Sequence, residues 1–108
     1  MNKLNFNNPE AIKRIQSLEV GVLIAESGKC TEEEFKPANG KVFTLNELQT
    51  AVKGHIEIYP HESDLTGKVV IVNEEGLHLQ MRPNILAAIK YDIDAVGPVL
   101  IIPRSQIE

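Results

Sequence analysis

The chain has 108 residues, enough for one hydrophobic core and too few for two. Apolar residues make up 43% and charged residues 24%, which excludes a default of disorder. The apolar run at 20–25 is far shorter than the roughly 20 residues of a membrane span, and residues 1–8 lack a signal-peptide core. Lone Cys30 cannot close an internal disulfide, which fits a reducing, cytoplasmic setting. The net charge is −4 and the eleven basic residues are scattered, so a nucleic-acid partner is not expected.

In chain order, the Asn-rich residues 1–8 read as a loose arm on a single globular domain, 1–108. Asn8-Pro9-Glu10 then starts a helix running to about residue 17, with Asn8 as cap and Ala11, Ile15 and Leu18 on one stripe. Val20, Val22 and Ile24 alternate with Gly21, Leu23 and Ala25, the pattern of a strand buried on both faces. Glu26-Ser27-Gly28-Lys29 turns the chain, and residues 31–40, with three consecutive glutamates, read as a solvated loop.

Thr44-Leu45-Asn46-Glu47 is a capping box, and Phe43 is placed to pack on Leu48 as a hydrophobic staple. Leu45, Leu48 and Val52 are expected to face the core, and Gly54 to end the helix in the left-handed region. Residues 55–59 alternate as a strand, with Ile56 and Ile58 on one face and His55, Glu57 and Tyr59 on the other. Residues 60–67 form a loop. Strands at 68–72 and 77–81 around Asn73-Glu74-Glu75-Gly76 read as a hairpin, with Gly76 at positive φ and Leu77, Leu79 and Met81 in the core. Pro83-Asn84 opens a helix carrying Ile85, Leu86 and Ile89 that fades at Asp92, and 99–102 is a last strand. The sum is an α+β fold: a mixed, mainly antiparallel five-stranded sheet with about three helices, packed mainly on one face, in the order α-β-α-β-β-β-α-β.

Several of these segments, taken together, carry a resemblance. They are Glu26-Ser27-Gly28-Lys29, the helix Leu45-Asn46-Glu47-Leu48-Gln49-Thr50-Ala51-Val52, Gly54-His55-Ile56-Glu57, Asn73-Glu74-Glu75-Gly76, Pro83-Asn84 and Val96-Gly97-Pro98-Val99-Leu100. In order and spacing, residues 20–102 resemble a family of small domains of unknown function carried by bacteriophages and mobile elements. Many members have a second glycine where this chain has Lys53, and the helix at 9–17 lies outside the shared region. The resemblance implies an accessory gene of such an element and transfers no activity.

The residues themselves offer three functional readings. The first is a non-enzymatic accessory protein that binds another protein or itself, as a homodimer. The second is a binder of a small anionic, nucleotide-like ligand at Glu57, His78, Arg82 and Asn84, with the helix start at Asn84 offering free N–H groups. The third is a metal-dependent hydrolase drawing on His55, Glu57, Tyr59, His61, Glu62 or His78, a spacing that matches no established ligand motif. Glu57 and Asn84 also have structural readings, as an acceptor for backbone N–H groups and as a helix cap. Dinucleotide, phosphate-loop and nucleophile-elbow motifs are missing, so no cofactor and no catalytic residue is expected.

Overall fold

The computed structural model describes residues 8–25, 31–60 and 66–107. The expected arm, the turn before Cys30, Cys30 itself, and His61 and Glu62 lie outside them. Helix α1 (Pro9–Gln16) begins as its sequence dictates: Asn8 Oδ1 accepts the Ala11 N–H at 3.1 Å, and Pro9 occupies the first turn. It buries Ala11 and Ile15.

Strand β1 (Val22–Ile24) follows, and β2 (Glu32–Glu34) pairs with it antiparallel. The three glutamates were expected in a loop. Glutamate is a poor strand former, but the edge of β1 offered unpaired N–H and C=O groups, and pairing outweighed propensity. The flanking bonds extend the match, Phe35 N–H to Gly21 O at 2.7 Å and Ala25 N–H to Thr31 O at 2.9 Å.

Helix α2 (Leu45–Val52) has the full capping box, with Thr44 Oγ1 accepting the Glu47 N–H and Glu47 Oε1 accepting the Thr44 N–H. Phe43 and Leu48 are buried in one cluster, as a staple requires. Leu45, expected in the core, is exposed; Ala51 is buried with Leu48 and Val52. The left-handed residue is Lys53, at φ 68°, and not Gly54. Gly54 is required for a different reason. A Cβ there would sit 2.8 Å from Asn73 Nδ2, which donates to the Val52 carbonyl.

Strands β3 (Ile56–Ile58) and β4 (Lys68–Asn73) pair antiparallel. The expected strand at 77–81 does not form. Residues 74–80 coil through turns instead, with Leu79 N–H to Glu75 O at 2.8 Å and Met81 N–H to Gly76 O at 2.9 Å. The reason is topological: β4 already has β3 on one side and β5 (Val99–Pro103) on the other, so a hairpin partner has no edge to join. Gly76 consequently does not take positive φ, and Leu77 and Leu79 are exposed rather than in the core. Helix α3 (Ile85–Tyr91) buries Ala87 and Tyr91 and turns Ile85 and Ile89 outward. A short 3-10 turn (Arg104–Gln106) follows β5.

The described elements run α1-β1-β2-α2-β3-β4-α3-β5, an α+β fold of three helices and five strands. The strands lie in the order β2-β1-β5-β4-β3, and every neighbouring pair is antiparallel, so the sheet is not mixed. Helices cover both faces, in three layers rather than two. Val22, Ile24, Val70, Val72, Val99 and Ile101 share a core with Ala11 and Ile15 of α1 and Ala87 and Tyr91 of α3. Ile71, Leu100 and Ile102 share the other with α2. Continuous Val/Ile/Leu runs in β4 and β5 leave no polar face to turn to water, so each side must be covered.

Candidate functional site

A groove of about 590 Å³ opens between the β3–β4 pair and the segment that follows α3. Its construction begins with alternation. Glu57 lies opposite Val72, and Tyr59, two residues on, falls on the same face of the sheet. Tyr59 is buried with α1 and α3 residues, and its hydroxyl accepts the Asp94 N–H at 3.1 Å. That bond fixes the loop after α3 beside β3. Burial pushes the Tyr59 phenol up, and the charges of Asp94 and Asp92 add to the shift. Its hydroxyl therefore stays protonated at neutral pH.

The opposite wall is the 74–80 excursion. Asn73 Oδ1 accepts the Glu75 N–H at 2.7 Å and turns the chain out of β4. Gly76 then passes so close to Val96 that a Cβ would stand 2.7 Å from Val96 Cγ2. Beyond it Leu77 stands at the rim, 81% exposed. The lining thus combines three carboxylates, Glu57, Glu74 and Asp94, with the apolar Leu77, Ala95 and Val96. Among the described residues that line it, none is basic.

The four residues expected to bind a ligand do not meet in one place. Glu57 lines the groove. His78 and Arg82 are exposed and outside its lining. Asn84 is buried, and its side chain is fully engaged: Oδ1 accepts the Ala87 N–H at 3.0 Å, and Nδ2 donates to Ile24 O and Gly97 O, both at 2.9 Å. It caps α3 and ties it to β1. His55 shares the strand face of Glu57 and Tyr59 as expected, but no three His, Cys, Asp or Glu side chains among the described residues are grouped to hold a metal ion.

The groove's remaining members escaped the sequence reading. Asp94 is 35 residues from Tyr59, so nothing local could pair them. Glu32, part of the charge run read as solvated, has a structural role. Its carboxylate accepts the Tyr91 O–H, with both oxygens at 3.0 Å, and Lys90 Nζ donates to it at 3.1 Å.

A family model described as a domain of unknown function, DUF3846, matches residues 19–106. The chain belongs to the DUF3846 family. No curated protein and no solved structure shows significant similarity to it. The groove lies wholly within the DUF3846 region, whereas α1 precedes that region and still supplies Ala11 and Ile15 to the core. No helix among the described residues is long and apolar enough to cross a membrane.

Proposed function

We propose that this DUF3846 domain is a binding module that receives a segment of another protein in the groove beside β3. The observation that supports it is the pairing of three carboxylates with an exposed leucine at one concave place. A side chain as apolar as Leu77 gains by being covered, at about 25 cal/mol per Å² of buried area. Glu57, Glu74 and Asp94 around it favour a cation. A polypeptide presenting lysine or arginine beside an apolar side chain satisfies both demands at once. A nucleotide-like anion fits the groove less well, because it meets three negative charges and no basic residue among the described ones that line it. The resemblance to phage and mobile-element domains supports an accessory role in such an element, and the lone cysteine suits the cytoplasm.

A displayed random-peptide library tests the reading. Selection on the immobilised domain is expected to enrich basic residues flanking an apolar one. Bound peptide should shift the backbone amide signals of Glu57, Glu74, Leu77 and Asp94. Leu77→Ala and Asp94→Lys should each weaken binding by roughly fivefold or more, about 1 kcal/mol. No enrichment, peptides that map elsewhere, or a preference for acidic sequences would overturn it.

A further inference from the structure

We propose that two copies of the chain associate through the open edge of β3, as an antiparallel strand pair centred on Ile56. The backbone sets the edge. Tyr59 N–H donates to Val70 O at 2.9 Å, and His55 O accepts the Glu74 N–H at 2.8 Å. Residues 55, 57 and 59 therefore aim their peptide groups at β4. By alternation, Ile56 and Ile58 aim theirs away from the sheet, where no strand follows among the described residues. An edge of this kind is a template for another strand.

The two sheet edges differ in charge. The outer strand at the far edge is β2, Glu32-Glu33-Glu34, which would bring six carboxylates together if it met its own copy. The β3 edge carries Ile56 and Ile58, with Ile58 54% exposed. Three registers align outward-facing peptide groups. Centring on Glu57 sets that carboxylate against its own copy, a repulsive pair. Centring on Ile58 sets Ile56 against Pro60, which has no N–H to give, and Glu57 against Tyr59, whose side chain is buried in the core and offers the carboxylate no partner. Centring on Ile56 lets the two Ile56 residues exchange both hydrogen bonds, and sets His55 of each copy beside Glu57 of the other. Ile58 then lies over Gly54, which has no side chain to obstruct it; the Gly54 N–H is already given to Gln49 O, so this pair adds only the bond from Ile58 N–H to Gly54 O. The match of His55 with Glu57, an imidazole N–H facing a carboxylate, selects this register, and the occupant is a second copy.

The edge is short, so the dimer is weak and concentration-dependent. It rests on the backbone direction of β3 and the His55–Glu57 match, and needs no peptide in the groove. Sedimentation of the full chain, without peptide, from low micromolar to millimolar concentration is expected to show a reversible monomer–dimer equilibrium. His55→Glu and Glu57→His should each weaken association at least threefold, and the double variant should restore it. Ile58→Pro, which removes an outward N–H without touching the β4 pairing, should abolish it, with far-UV circular dichroism confirming the fold. A monomer at every concentration overturns the proposal. So does a dimer indifferent to Ile58→Pro, or a double variant no better than the singles.

Discussion

The side-chain amide of Asn84 donates to the carbonyl oxygen of Ile24 at 2.9 Å, joining the start of α3 to the middle layer across 60 residues of chain. The same nitrogen donates to Gly97 O, and the side-chain oxygen caps Ala87. Asn84→Ala removes a cap and takes one donor away from each of two carbonyls, Ile24 O and Gly97 O. It should destabilise by about 2–4 kcal/mol in urea denaturation. Asn84→Asp separates the two functions, since aspartate caps as well as asparagine but cannot donate. It should be at least as damaging as the alanine, with a carboxylate placed against two carbonyl oxygens. A near-neutral aspartate variant would show that capping is all the residue does.

Lys53 carries the left-handed conformation that ends α2, at φ 68° and ψ 33°. A β-carbon in that region costs roughly 1 kcal/mol, so Lys53→Gly should stabilise by about 0.5–1 kcal/mol despite the added freedom of the unfolded chain. Gly54→Ala should act in the opposite direction, because its Cβ would press on the buried Asn73 amide. Thermal unfolding of both variants checks the assignment. If Lys53→Gly failed to stabilise, the left-handed turn would not lie at Lys53; if Gly54→Ala were neutral, its Cβ would not press on the Asn73 amide.

The parts of this fold that were legible in the sequence are those decided within a few residues. The Thr44–Glu47 box and the Asn8 cap each involve side chains three positions from their backbone partners, and both form. The runs in β1, β4 and β5 were readable because burial on both faces favours apolar side chains, as at Val70, Ile71, Val72 and residues 99–102. Reading failed where tertiary pairing decided. Glu32-Glu33-Glu34 became a strand because β1 had an open edge, and Leu77-His78-Leu79-Gln80-Met81 did not because β4 had none. Among the proposed site residues, Glu57 was readable from strand alternation. Its neighbours Asp94 and Val96 come from a loop beyond α3, brought close by contacts far apart in sequence, the Tyr59–Asp94 hydrogen bond and the approach of Gly76 to Val96 among them.

Gly76 shows how a residue can be required for a reason other than the expected one. Its φ is not positive, but a Cβ would lie 2.7 Å from Val96 Cγ2 and 3.1 Å from Val96 O. Gly76→Ala should therefore cost about 1–3 kcal/mol as overpacking. Val96→Ala removes the side-chain part of the clash, so the double variant should cost less than the sum of the singles. Leu79→Ala, at an exposed position, should stay within about 1 kcal/mol of wild type. A loss of several kcal/mol at Leu79 would restore the hairpin that the turns at 74–80 replace.

Alkaline pH acts on the two buried phenols, Tyr91 and Tyr59. Burial pushes the Tyr91 phenol well above its ordinary 10.0, and the hydrogen bond and negative charge of Glu32 push it further, against a smaller opposing effect from Arg14. Tyr59 is shifted the same way, first by burial. A phenol whose folded pKa is raised contributes stability that is complete below pH 10. That contribution is lost as pH rises from 10 through the folded value, because the unfolded chain releases its proton first. Lys68 acts in the other sense. Burial holds its ammonium below 10.5, so its deprotonation stabilises the fold as pH rises, and its contribution is constant above 10.5. Above about pH 10.5 the tyrosines act alone, and stability should fall by at most about 1.4 kcal/mol per pH unit for each. Urea denaturation at a series of alkaline pH values measures the slope. Tyr91→Phe should cost roughly 1–2 kcal/mol at neutral pH, from the lost bond to Glu32, and should flatten the alkaline fall by one proton's worth. An alkaline slope unchanged in Tyr91→Phe would show that this buried phenol titrates no differently in the folded and unfolded chains.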